Sequence, residues 1–106
     1  MAVKVITQTE FESETLKSKK VVLVDFFATW CMPCKMLSSV LDEVDSKVGE
    51  YADVVKVDID ENMELSQKYG VMSIPTLIII KDGQEVDRAV GFRQANQIID
   101  LIDKHN

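Results

Sequence analysis

The 106-residue chain predicts an α/β fold in which a mixed five-stranded central sheet is flanked by four helices on both faces. Three observations predict it. Short β-type runs alternate with segments of helical period through most of the chain, which implies parallel strand pairs with helices crossing over the sheet. The run Val21 to Phe27 is apolar on both faces apart from Asp25, as in a central strand covered from both sides. A hairpin signal, Asp82-Gly83, then joins two antiparallel strands near the end, because Asp-Gly readily adopts the positive φ angles of a type I′ turn.

Val3 to Ile6 is a short first strand. Thr9 and Glu12 form a T-x-x-E capping box that opens a helix carrying Phe11 and Leu16 inward. After Val21 to Phe27, the residues Met36, Leu37, Val40, Leu41, Val44 and Val48 recur at helical spacing, with Ser38, Asp42 and Asp45 between them. Gly49 is placed to end this helix as a C′ glycine. Val55, Val57 and Ile59 alternate with Lys56 and Asp58 in a strand. Asn62 to Tyr69 is a short helix stopped at Gly70. Leu77 to Lys81 and Glu85 to Val90 form the hairpin. Ile98, Ile99, Leu101 and Ile102 line a last helix that begins near Gln94 without a good N-cap, so fraying is expected there. The order is β-α-β-α-β-α-β-β-α.

This length suits a single domain, 1–106, with a real core. A formal net charge of −6 argues against nucleic-acid or anionic-membrane partners, which select clustered Lys and Arg. The N-terminal residues lack the basic and apolar pattern of a secretion signal, and no apolar run approaches spanning length. A cytoplasmic location is the default, although a mature secreted form would also lack its signal.

Cys31 and Cys34 are the only cysteines. A structural bridge between them would constrain the unfolded chain very little, because the loop is so short. A zinc knuckle would find only half of a tetrahedral site here, since the sole histidine, His105, adjoins the last residue. Inert buried thiols are a second reading. A redox dithiol is the third, and local physics favours it. With a helix starting near Pro33, Cys31 sits at its N-terminal edge, where free N–H groups and the helix dipole favour thiolate over thiol. Cys34 falls in the first turn, close enough to form a disulfide and directed back under the helix. One thiol attacks and the other resolves.

Asp25, set among Leu23, Val24, Phe26 and Phe27, has little chance of exposure. Burial penalises the carboxylate and raises its pKa toward the physiological range, where a carboxyl exchanges protons readily.

The segment Val24-Asp-Phe-Phe-Ala-Thr-Trp-Cys-Met-Pro-Cys-Lys35, with Lys56-Val-Asp-Ile-Asp60, Tyr69-Gly70, Ile74-Pro-Thr76 and Val90-Gly91, resembles the thioredoxin family. The resemblance covers essentially the whole chain, in order and with matching spacing, and is far more specific than C-x-x-C alone. It implies a thioredoxin fold and a general protein-disulfide reductase that works by dithiol–disulfide exchange in cytoplasmic redox homeostasis. Cys31 would be the nucleophile and Cys34 the resolving thiol. Asp25 would lie beneath them and take the proton of Cys34 through a water. Lys56 would tune Asp25, against the plainer reading of a lysine snorkelling from a strand face. Pro75, by itself an ordinary strand-entrance proline, would be cis and face the cysteines. Trp30, Met32, Pro33, Ile74, Val90 and Gly91 would form the substrate-binding surface, with the Ile74 backbone pairing to an extended substrate segment.

No bound cofactor is implied beyond the redox-active Cys31–Cys34 disulfide, and no metal. The partners implied are disulfide-containing proteins and a thioredoxin reductase, an NADPH-dependent flavoprotein; the chain carries no nucleotide-binding glycine motif of its own. A monomer is expected. Met32 stands where the family commonly has Gly, and we expect a more oxidising couple from it. Phe27 stands where Trp is frequent. Ser39 replaces a common mid-helix Pro, so a straighter helix is expected. An oxidase or isomerase on the same fold is one rival reading. A non-catalytic docking subunit using the apolar patch is another.

Overall fold

The structure, a computed structural model, describes residues 3–106. Its elements are β1 (Lys4–Val5), α1 (Gln8–Phe11) running into a π-helical turn (Glu12–Leu16), β2 (Val21–Phe27), α2 (Met32–Val48), β3 (Ala52–Asp58), α3 (Met63–Lys68), β4 (Thr76–Lys81), β5 (Gln84–Val90) and α4 (Ala95–Lys104). The strands form one sheet in the order β1-β3-β2-β4-β5. β1, β3 and β2 run parallel, while β4 pairs antiparallel with both β2 and β5. The alternation of strand and helix thus gives parallel pairs, and the hairpin supplies the antiparallel edge. Both turn residues have positive φ, Asp82 at 53° and Gly83 at 79°.

The pleat divides β2 between two cores. Val21 and Leu23 face α2 and α4, packing with Leu37, Leu41, Leu77, Ile79, Ile98 and Ile102. Val22, Val24 and Phe26 face the opposite side with Ile6, Phe11, Val57, Leu65 and Ile78. Strand parity therefore puts the side chain of Asp25 on the α2 face, and Asp25 is 0% exposed.

Several termini differ from expectation. The sequence contains T-x-x-E twice, and the first copy caps α1: Glu10 N–H donates to Thr7 Oγ1 (3.3 Å) and Thr7 N–H to Glu10 Oε1 (3.0 Å). Long-range packing selects it over Thr9 and Glu12. Ile6 and Phe11, at the N′ and N4 positions of this register, are both buried in one cluster and staple the chain entry. Leu16, expected inward, is only half-buried. Gly49 is the C-cap of α2 with right-handed φ (−58°), not a left-handed C′ glycine. Its lack of a side chain matters for space, because a Cβ there would meet the Asp45 carbonyl oxygen at 2.9 Å. Met36 points outward, 60% exposed, rather than joining the α2 stripe. The start of α4 is tied after all: Gln94 N–H donates to Gln97 Oε1 at 2.9 Å.

Candidate active site

The C-terminal end of β2 leads through Ala28 and Trp30 into the front of α2. The helix begins at Met32, one residue earlier than expected, with Cys31 as its N-cap in extended conformation. Pro33 is then the second helical residue. It costs no hydrogen bond there, since the N–H groups of the first turn have no intrahelical acceptor. The Cys34 N–H donates to Cys31 Sγ at 3.2 Å, so the sulfur fills the place of a capping serine oxygen. Cys31 and Cys34 form a disulfide, with Cα atoms 5.2 Å apart. Each sulfur is thus bonded to the other, as a redox dithiol in its oxidised form would be, and not left as a separate inert thiol. Both cysteines are largely covered, at 5% and 2% exposed.

The loop before β4 closes over the same spot. The Ile74–Pro75 bond is cis, and the Ile74 carbonyl oxygen lies 3.9 Å from Cys31 Sγ. Ile74 packs with Cys31, Cys34, Ala28 and Phe27. The Gly91 N–H donates to the Pro75 carbonyl at 2.8 Å, which joins the end of β5 to this loop. Gly91 does so with φ of 94°, a conformation that side chains rarely adopt. Trp30 and Met32 flank Cys31 in the chain, and they, Met72, Val90 and Phe92 are exposed apolar groups. Met72 and Phe92 were not singled out by sequence; their only signal was position, each within two residues of a predicted surface residue.

Trp30 is 66% exposed yet fixed, its Nε1–H donating to Asp60 Oδ2 at 2.8 Å. Asp60 lay inside the Lys56–Asp60 motif without a role. The need of an indole N–H for an acceptor was the signal available.

On β2, Asp25 pairs in register with Lys56 on β3 and Leu77 on β4. Neither carboxyl oxygen of Asp25 has a hydrogen-bond partner among the described residues. Burial pushes its pKa up from 3.8 to about 7, and the nearby Lys56 charge offsets part of that rise. Lys56 does not snorkel to open water. Its Nζ donates to Ser38 Oγ at 3.0 Å and sits 4.5 Å above the centre of the Phe27 ring. Ser38 and the Phe27 ring are site components that sequence reasoning missed; only a fold placing α2 over β3 brings them to Lys56. Lys56, Ser38, Phe27 and Cys34 line one cleft.

Among the described residues no group of three or more His, Cys, Asp or Glu is arranged to hold a metal. None of the described helices is long and apolar enough to cross a membrane.

The family pattern for Thioredoxin matches residues 2–104. The chain is 49% identical over 105 residues to thioredoxin of Bacillus subtilis (strain 168), covering 99% of each protein. It is 48% identical, with the same coverage, to thioredoxin of Staphylococcus aureus. Among solved structures, chloroplastic thioredoxin z superposes with a TM-score of 0.89 at 33% identity, covering 98% of this chain and 94% of that one. A C-x-x-C disulfide capping a helix, on this sheet and with this likeness along its whole length, has one reading: the chain belongs to the thioredoxin family and is a protein thiol–disulfide oxidoreductase.

Proposed function

We propose that the reaction is general protein-disulfide reduction, with Cys31 as nucleophile, Cys34 as resolving thiol and Asp25 as the base that frees Cys34. In the reduced protein, Cys31 thiolate attacks one sulfur of a substrate disulfide. The substrate S–S bond breaks, one substrate thiolate leaves and takes a proton from solvent, and a mixed disulfide remains. The Cys34 thiol then gives its proton to Asp25, relayed by a water. Cys34 thiolate attacks Cys31 Sγ, and the second substrate thiolate leaves and is protonated. The substrate gains two electrons, and this chain ends as the Cys31–Cys34 disulfide.

The observation that carries the reading is the Cys34 N–H directed at Cys31 Sγ over 3.2 Å. That amide, with the dipole of a 17-residue helix behind it, stabilises negative charge on Cys31. The buried, unpartnered carboxyl of Asp25 supports its role as base, since its pKa of about 7 leaves both protonation states populated at neutral pH. Lys56 tunes that carboxyl through charge. The cis bond before Pro75 sets the loop geometry beside the cysteines, leaving the Ile74 backbone for an extended substrate segment. Trp30, Met32, Pro33, Val90 and Gly91 make the surrounding contact surface.

Family membership implies a thioredoxin reductase and disulfide-bearing proteins as partners. The finer reading is a cytoplasmic monomer, one domain over 1–106, re-reduced by an NADPH-linked flavoprotein. Insulin reduction supplied separately with NADPH-linked reductase and with glutathione tests it. Turnover with the reductase, its loss in Cys31→Ser, and a trapped mixed disulfide in Cys34→Ser are the expected results. Faster turnover with glutathione than with reductase would point instead to an oxidase or isomerase. Full partner binding by the double serine variant, without any turnover in the parent protein, would point to docking.

A further inference from the structure

We propose that Ser38 is a positioning residue, whose hydroxyl holds the Lys56 ammonium in the cleft beside Cys34 and thereby sets the positive charge that faces Asp25. This rests on the role proposed above for Asp25. A lysine on a strand ordinarily extends its stem along the protein and places its ammonium in water. Lys56 is instead half-buried and held at two points, by Ser38 Oγ at 3.0 Å and by the face of the Phe27 ring at 4.5 Å. Ser38 stands one helical turn after Cys34 on α2, and Lys56 stands opposite Asp25 on β3. The hydroxyl therefore links the helix that carries the resolving thiol to the cation beside the base.

Lys56 is the charge that acts on Asp25, and the elements packed around β2 supply few others. β3 contributes Lys56, with Asp58 one step further along the same face, accepting the Asp60 N–H. β4 contributes Leu77, and on β2 itself the same face carries Leu23 and Phe27. α2 contributes Cys34 and Ser38, with the exposed Lys35 on the outer wall of the cleft. α4 contributes the apolar Ile98 and Ile102. Without the Ser38 oxygen only the ring face retains the ammonium, and the stem is free to swing toward water. The attraction on Asp25 then weakens with distance and added screening, and its carboxyl keeps the proton to higher pH.

The test is a carbon-detected NMR titration of the Asp25 carboxyl in the oxidised protein, compared across Ser38→Ala, Ser38→Thr, Lys56→Met and the Ser38→Ala/Lys56→Met double variant. Ser38→Ala should raise the Asp25 midpoint, Ser38→Thr should restore it, and Ser38→Ala should add nothing once Lys56 is gone. A midpoint unmoved or lowered by Ser38→Ala, a threonine that behaves as alanine, or an equal rise in the Lys56→Met background would overturn the proposal. Alanine is a better helix former than serine, so the fold tolerates the change, and thermal melts verify it. The titration reads the Ser38–Lys56–Asp25 coupling without catalysis. A failure of Asp25 as the base would show separately, in the kinetics of Asp25→Asn.

Discussion

Asp25 and Lys56 occupy facing positions on adjacent parallel strands, yet the Lys56 ammonium hydrogen-bonds Ser38 and leaves both Asp25 oxygens without a partner. A direct ion pair would have held Asp25 as a permanently charged carboxylate. Lys56, held where it is, offsets part of the desolvation without pairing with the carboxyl, so burial stays dominant and the acid is poised near neutrality.

The first consequence is kinetic. Asp25→Asn removes the proposed base for Cys34 but leaves Cys31 at the helix terminus. Resolution of the mixed disulfide should slow by about 100-fold at neutral pH, while its formation changes little. Stopped-flow fluorescence with a protein disulfide separates the two steps. Equal effects on both would remove Asp25 from proton transfer.

The second concerns stability. The folded pKa of Asp25, about 7, lies above its unfolded value near 3.8, so the native state binds the proton more tightly. Its contribution is fully present below the unfolded pKa and is lost as pH rises through 7. The loss between pH 5 and pH 8 amounts to roughly 2–3 kcal/mol. Asp25→Asn, which cannot ionise, should therefore stabilise the protein more at pH 8 than at pH 5. Urea melts at both pH values check the sign; an equal effect at the two would show an ordinary carboxyl pKa.

A third test addresses the rim. Trp30 is the only tryptophan, so fluorescence excited beyond the absorption of the two tyrosines reports on it alone. Asp60→Ala removes the acceptor of its indole N–H and should change the emission spectrum and raise KM for a protein disulfide about two- to tenfold, with kcat nearly constant. Asp60→Asn retains an oxygen acceptor and should behave nearly as the parent. A change confined to kcat would contradict a contact role for the Trp30 ring.

The fourth concerns Met32, the first residue of α2 and 65% exposed. Glycine there would loosen the turn whose amides stabilise the Cys31 thiolate, at about 1 kcal/mol of helix propensity. Destabilising the reduced form favours the disulfide, so Met32→Gly should lower the reduction potential by roughly 20 mV. Equilibration against glutathione measures it, and an unchanged or higher potential would refute the propensity argument.

Much of this was legible in residue order. Alternating strand and helix patterns predict the mixed sheet, C-x-x-C before a helical stripe predicts a thiol at a helix front, and an acid inside an apolar strand predicts a perturbed carboxyl. Each of these depends on neighbours within a few positions, where side-chain period and helix dipole act directly. Other features depend on contacts between distant elements. Thr7 rather than Thr9 caps α1 because Ile6 and Phe11 find the same core. Lys56 binds Ser38, Trp30 binds Asp60, and Ile74 meets Cys31 across separations of 18, 30 and 43 residues. Strand register and helix packing choose those partners, because a flexible polar side chain accepts whichever acceptor the assembled fold brings within hydrogen-bond reach.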